Sequence, residues 1–412
     1  MLRSLFSGIS SLRSHQTMLD VTGNNIANAN TTGFKSSRTQ FEDTLSQMIQ
    51  APGAPQGQNG GTNPAQVGLG VRVAGISTDF TPGAAQQTGR SLDMMIDGDG
   101  FFVVNGGGGE QLYTRNGAFS LDATGQLVTA SGARVMGWAA DANGVVNANG
   151  PLSPLSLPVT TTMGARATST VTFGGNLPAD AKVADPTATP PVEATTLLRS
   201  IEVYSADGTP TPVDVSFTLQ ASSPSATWAV SVADRSGTQL GTGTVTFNAN
   251  GSLQNVTLPP VTVGGSAVTL DLGALTGFAA LTTVEASGQD GQGAGVLQSF
   301  AMASDGTLIG SFSNGLKRAV GQVAVSTFAN SGGLEKAGGS MLRASVNSGD
   351  PQVGVAGQGG RGDLTGGALE MSNVDLSQEF TNLIVAQRGF QAGSRVITTS
   401  DELLQELVNL KR

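Results

Sequence analysis

The chain has 412 residues with 58 glycines, one histidine, no cysteine and a charged fraction of 12%. At ~100–200 residues per domain it holds roughly two to four domains. A net charge of −9 with no Lys/Arg block excludes the electrostatic grip that nucleic acid requires, and the absence of cysteine excludes disulfide frameworks, thiol nucleophiles and Cys-based zinc sites.

From the N-terminus, Leu2, Leu5, Ile9, Leu12, Leu19 and Ile26 recur in steps of three and four, with Gln16 and Gly23 completing the series. This 3.5-residue period predicts a helix over residues 1–30 that can supercoil with others. The pattern fades at Gly23-Asn24-Asn25, poor residues for helix continuation. Arg3 is present, but no continuous apolar run precedes Ser10, so the segment does not read as a cleavable secretory signal. No stretch approaches the ~20 apolar residues of a membrane span.

Gln50–Gly70 is dense in Gly, Pro, Gln and Asn and predicts an extended loop or linker. Short alternating runs follow, such as Val71–Val73, Phe101–Val104 and Leu127–Thr129, predicting antiparallel strands of an inner β-domain over 76–150. The next stretch, 151–291, is rich in Thr, Val, Ser and Ala. It carries hairpin signals at Asp207-Gly208 and Asn250-Gly251. It reads as a second, outer β-domain inserted into the inner one, which resumes over 292–365 and ends in a Gly-rich connector. A weak echo links Phe119–Leu127, Phe247–Leu253 and Phe300–Leu308: an aromatic residue, a polar turn with Gly, then Leu, which is good hairpin chemistry.

The last segment, 366–412, repeats the heptad pattern at Leu369, Leu376, Phe380, Leu383, Gln387, Phe390, Ile397, Leu404 and Val408, interrupted by Ser394 and Asp401. Such a helix would be ~60 Å long. Ser372 or Asn373 could cap it; Asp375 suits the positive end of its dipole, and Lys411 and Arg412 the negative end. The predicted fold class is therefore α+β: long, coiled-coil-like terminal helices flanking two mainly-β domains. Both apolar seams are too long to leave in water, and no neighbouring segment offers a sheet face to cover them. Pairing with each other and with further copies resolves the exposure, which makes Leu2, Leu5, Ile9, Leu12, Leu19, Ile26, Leu376, Phe380, Leu383, Phe390, Ile397, Leu404 and Val408 the predicted assembly interface.

Catalytic chemistry is poorly supplied. His15 lies in the N-terminal helix, remote from any predicted pocket. Asp97-Gly98-Asp99-Gly100 lacks the remaining oxygen ligands and terminal Glu of a calcium loop and reads as a tight turn. Gly357–Gly362 spells GxGxxG without the βαβ unit that makes it a dinucleotide site, and reads as a flexible connector. Arg361-Gly362-Asp363 is assigned no function. No acid, base and nucleophile converge: the reading is a non-enzyme without cofactor or metal.

Two stretches name a family. Asn24-Asn25-Ile26-Ala27-Asn28-Ala29-Asn30-Thr31-Thr32-Gly33-Phe34-Lys35 resembles the signature of flagellar rod and hook proteins. Ile96-Asp97-Gly98-Asp99-Gly100-Phe101-Phe102-Val103-Val104, continuing through Arg115, Gly117 and Phe119, resembles the inner β-domain of the same family; Ser372–Leu376 and Gln387–Ala392 complete the match. The resemblance covers both ends and the first β-domain and hardly touches 151–291. The size of that insert points to the hook rather than the distal rod, which is the alternative. The family implies a homo-polymer forming a curved, flexible tube that transmits motor torque to the filament. It further implies an extended connector over residues 31–75, export through the flagellar type III apparatus without a cleaved signal, and a place outside the cell on the basal body. The implied partners are a distal rod protein, a hook cap protein, a hook–filament junction protein and the export apparatus.

Overall fold

A computed structural model describes residues 2–55, 57, 60–141, 143–157, 163–222 and 225–409. The chain is mostly β-structure with one long helix at each end, α1 (Leu2–Ala27) and α2 (Leu376–Asn409). It divides into two compact units. The first comprises Met1–Leu157, Phe300–Gly310 and Arg318–Arg412, the second Pro158–Ser299 and Ser311–Lys317.

In the first unit, the segment after α1 forms a long antiparallel ribbon. Ser37–Asp43 pairs with Val71–Thr78, and further out Ser46–Gln50 pairs with Ala65–Gly68. The loop expected over Gln50–Gly70 is thus partly strand: its return arm pairs with Ser46–Gln50, where Gln47 sits opposite Val67 and Met48 opposite Gln66, and the register shifts at Ile49. The body of this unit is built on Phe101–Asn105, which pairs with Gln111–Thr114 and with Arg134–Ala139. Phe101, Val103, Tyr113, Met136 and Trp138 form one buried cluster. Within it, Phe80 meets Phe101 edge-on at 5.4 Å and Tyr113 meets Phe328 at 4.7 Å, the geometry the aromatic quadrupole favours. Ser153–Pro154 pairs with Arg134–Ala139, and Leu155 and Leu157 are buried. The chain therefore stays in this unit past residue 151, where the sequence predicted a boundary.

The C-terminal helix also starts later than expected. Asp363–Gly366 pairs with Met94–Asp97, and Ala368–Glu370 with Ala85–Gln87, placing Leu369 in a strand opposite Gln86. Gly367, at φ +74°, makes the bend between these strands, a conformation that glycine adopts without penalty. The cap is Asp375, whose Oδ1 accepts from the amides of Ser377 (2.8 Å) and Gln378 (3.2 Å); Asn373 is engaged elsewhere. Lys411 and Arg412 lie outside the described residues. The Gly-rich stretch is packed rather than loose: Arg361 Nε donates to Val355 O at 2.8 Å, and Gly362 N to Asp99 O at 2.6 Å.

The second unit holds a five-stranded antiparallel sheet in chain order, Thr196–Tyr204, Pro210–Ala221, Thr227–Asp234, Gln239–Phe247 and Leu253–Thr257. A four-stranded sheet runs Val261–Val263, Ser266–Thr276, Thr170–Asn176, Glu285–Gln289. Period-two alternation buries Val213, Val215, Phe217 and Leu219 together with Trp228, Val230 and Phe173, leaving Ser216 and Thr218 on the other face. The echoed turns share one device. Asp122 Oδ1 accepts from the amides of Thr124 and Gln126, Asn250 Oδ1 from that of Ser252, and Asp305 Oδ1 from that of Thr307. Each side chain closes its own hairpin.

Candidate assembly interface

The two terminal helices lie antiparallel within the chain. Gly8 faces Gly393 and Ile397, His15 faces Gly389, and Asn25 reaches Glu379. The approach is close because the facing residues are small. A β-carbon on Gly393 would lie 3.4 Å from Gly8 O and 3.3 Å from Leu12 Cγ; one on Gly389 would strike the His15 ring at 2.5 Å. The α2 residues buried along this line are Glu379, Ala386, Gly393 and Ser400, one per heptad.

This corrects the predicted seam by one residue on one of its two tracks. The buried track is 379-386-393-400 rather than 380-387-394-401. Leu383, Ile397 and Leu404 are half-buried beside it, as are Leu5, Leu12, Leu19 and Ile26 on α1. Of Leu2 only its place in α1 is described. A hydrophobicity template selects large side chains, whereas two helices in near backbone contact need small ones, and the large ones are displaced to the flanks.

Those flanks remain open. Phe6 is 67% exposed and Val408 69%; Ile9, Leu376, Phe380, Ile384, Val385, Phe390, Val396, Leu403 and Leu407 are also exposed. With 3.6 residues per turn, Leu376 and Phe380 lie on one flank of the seam, Val385, Val396, Leu403 and Leu407 on the other, and Ile384 nearly opposite it. The pair thus leaves apolar side chains exposed on both sides of its seam.

The Asn-rich motif fastens this helix pair to the ribbon and the β-body. The α-helix ends at Ala27, and Asn28 Nδ2 donates to Asn24 Oδ1 at 3.0 Å. Asn25, 1% exposed, donates through Nδ2 to Ser37 O (2.8 Å) and Glu379 Oε1 (3.1 Å), and accepts from Ser37 N (3.0 Å). Gly33 sits at φ +68°, where a β-carbon would lie 2.6 Å from Asn116 N; its amide donates to Glu370 O at 2.8 Å. Thr32 Oγ1 donates to Asn116 Oδ1, and Thr31 Oγ1 to Asn28 Oδ1.

Beneath lies a buried charge cluster. Lys35 Nζ donates to Glu370 Oε1 (2.6 Å) and Thr81 O (2.7 Å), Gly83 N to the same Oε1 (2.9 Å), and Arg115 Nη1 to Oε2 (3.4 Å). Burial lowers the pKa of both Lys35 and Arg115; the hydrogen bonds and charge of Glu370 act in the opposite direction. The Arg115 guanidinium also lies 5.3 Å above the Phe101 ring. Nearby, Phe102 meets Phe119 edge-on at 5.1 Å. Gly117 leaves no room for a β-carbon, which would fall 1.6 Å from Met94 O. Asp97 pairs with Asp363 in the strand that precedes Gly98 and Gly100. Asn373 joins the other end, accepting from Ser36 N (2.8 Å) and donating to Asp79 O (2.9 Å).

Glu370 and Glu379 were not singled out in the sequence, and Asn373 was read there as a helix cap rather than as a tie to Ser36 and Asp79. Their partners stand more than 250 positions away, beyond any local pattern. Apart from the Arg115 Nε, these buried polar side chains bond other parts of the same joint. Among the described residues no cluster of His, Cys, Asp or Glu is placed to hold a metal, and no helix is long and apolar enough to cross a membrane.

Four family models match successive parts of the chain. They are the flagella basal body rod protein (residues 6–35), the flagellar hook protein FlgE/F/G D1 domain (95–173), the flagellar basal body protein FlaE D2 domain (176–292) and the flagellar basal body rod FlgEFG protein C-terminal region (365–410). The chain is 38% identical to the flagellar hook protein FlgE of Borreliella burgdorferi, covering 100% of both. It is 35% identical to the flagellar hook protein FlgE of Salmonella typhimurium, over 99% of this chain and 100% of that one. It is also 35% identical to the flagellar basal-body rod protein FlgG of Bacillus subtilis over the whole of both. The crystal structure of Helicobacter pylori flagellar hook protein FlgE2 superposes with a TM-score of 0.56 at 15% identity, covering 69% of this chain and 100% of that one.

Proposed function

The chain belongs to the flagellar hook protein family, and we propose from that premise how this hook subunit makes a tube that holds together while it bends. The α1–α2 pair is the inner wall element, and its open flanks pack coiled-coil-fashion against pairs from neighbouring copies. The observation that carries this reading is the set of large apolar side chains left exposed on both sides of the small-residue seam, Leu376, Phe380, Val385 and Leu403 among them. The predicted interface residues divide accordingly: Leu5, Leu12, Leu19, Ile26, Leu383, Ile397 and Leu404 serve the internal pair. Ile9, Leu376, Phe380, Phe390 and Val408 face other copies, with Leu2 assigned there from its sequence position.

The second unit acts as an outer domain inserted into the inner β-domain. Its outward strand faces carry Ser and Thr, which make weak, wet contacts that can be remade at each rotation. A curved tube that turns as a universal joint needs such contacts outside and continuous apolar ones inside. Export by the flagellar type III route, a site outside the cell, and contacts with the rod, cap and junction proteins complete the reading. Similarity to the Bacillus subtilis rod protein FlgG keeps a distal rod subunit as the alternative. Electron microscopy of polymer grown from the purified chain separates the two, since curved tubes support the hook reading and straight ones the rod.

A further inference from the structure

Beside the end of α1 lies a cleft of about 290 Å³ lined by Asn24, Asn28, Phe34, Phe80 and Leu342 and by the cations Lys35, Arg115 and Lys336. One of its cations has no carboxylate in direct contact. Glu370 answers Lys35 and Arg115, helped by the charge of Asp79 at Lys35 and of Asp99 at Arg115. Lys336 Nζ meets the Ser37 hydroxyl at 2.9 Å and the Phe34 ring at 5.4 Å, with no carboxylate in salt-bridge range among the described residues. Arg115, whose side chain is 2% exposed, has a buried Nε with no hydrogen-bond partner. A buried guanidinium N–H left unpaired is costly, and a largely apolar cleft with the unpaired cation Lys336 at its edge suits a carboxylate flanked by aliphatic groups.

We propose that this cleft receives the acidic, leucine-bearing end of α2, residues 401–407, from a second copy of this chain. That segment has the complementary deficiency. Asp401, Glu402 and Glu406 are exposed and, among the described residues, form no salt bridge. Glu402 and Glu406 are like charges one turn apart near the negative end of the helix dipole, an arrangement that destabilises an isolated helix. Leu403 and Leu407 stand exposed beside them.

The chain cannot satisfy itself. Ile397 lies beside Gly8, whereas the cleft lies at Asn24–Asn28, roughly 25 Å further along α1 at 1.5 Å per residue, and residues 401–407 run in the opposite direction. The end of one α2 therefore meets the far end of another copy's helix pair. This is a head-to-tail contact, the kind that propagates into an open helical polymer rather than a closed oligomer. The inference rests on the assembly reading above and adds an axial contact to its lateral ones.

The test uses the full chain with a photo-crosslinking benzophenone residue in place of Leu342, polymerised and irradiated. The expected product is an intermolecular cross-link to a peptide containing residues 401–407. Polymer that forms normally but cross-links elsewhere, or not at all, overturns this inference and leaves the assembly reading standing; a chain that never polymerises overturns both. As a second measurement, Lys336→Glu slows polymer growth about tenfold and Glu402→Lys with Glu406→Lys restores it, as charge-pair swaps do at steered interfaces. Unchanged growth in Lys336→Glu, or no recovery in the swap, contradicts the proposal.

Discussion

Asn25 Nδ2 donates to Glu379 Oε1 at 3.1 Å, across 354 positions of sequence, and the same side chain exchanges two hydrogen bonds with the Ser37 backbone. One buried amide thus joins α1, α2 and the ribbon. Asn25→Ala leaves the Ser37 amide and the Glu379 carboxylate short of partners. A loss of about 2–3 kcal/mol follows, the usual scale for a buried bond to a charged group. Urea unfolding followed by helix circular dichroism measures it, and a loss below about 0.5 kcal/mol would show that the joint does not depend on this residue.

Glu370 carries a larger share. It faces Lys35 at 2.6 Å and Arg115 at 3.4 Å, all three nearly buried. Glu370→Gln keeps the shape and removes the charge, stranding two cations, and should destabilise the first unit by about 3–5 kcal/mol. Replacing all three by apolar residues of similar volume should recover much of that loss. If the single variant unfolds at the same urea midpoint as the parent, the cluster is not a structural lock.

The small-residue seam predicts a steep size dependence. Gly393→Ala asks Gly8 O and Leu12 to give by tenths of an ångström, whereas Gly393→Leu forces the helices apart, at about 1–3 kcal/mol for overpacking. Polymer yield should fall modestly for the first and collapse for the second. Equal yields would place the helix contact elsewhere.

The hairpin carboxylates give a pH dependence. Hydrogen bonds from the Ser205 hydroxyl and then from Thr209 lower the Asp207 carboxyl from 3.8 to about 2. A depressed folded-state value means the unfolded chain binds the proton first. The stabilisation is complete above the ordinary carboxylate range and is lost as pH falls through about 2. Carboxyl-carbon NMR of Asp207 should show a midpoint well below 3.8, and Asp207→Asn should remove this acid sensitivity. An ordinary midpoint would refute the turn geometry.

The sequence revealed what is local. Heptad spacing marked both terminal helices, and Asp207-Gly208 and Asn250-Gly251 marked hairpins, because each depends on residues a few positions apart. The seam register was misread because Ala386, Gly393 and Ser400 are buried for their smallness, a signal that periodicity of large residues does not contain. The start of α2 was placed too early because Leu369 matches the heptad and equally well serves a strand opposite Gln86; only tertiary pairing decides between them. Glu370 and Glu379 acquire their roles from Lys35 and Asn25, which the fold alone brings near.

The most direct test places a charge on each open flank of α2, Phe380→Asp and Val385→Asp, and follows sedimentation of the purified chain against concentration. The account predicts unchanged helix content by circular dichroism and a chain that stays monomeric where the parent polymerises. Polymer of the same length at the same concentration in the doubly charged chain would contradict it.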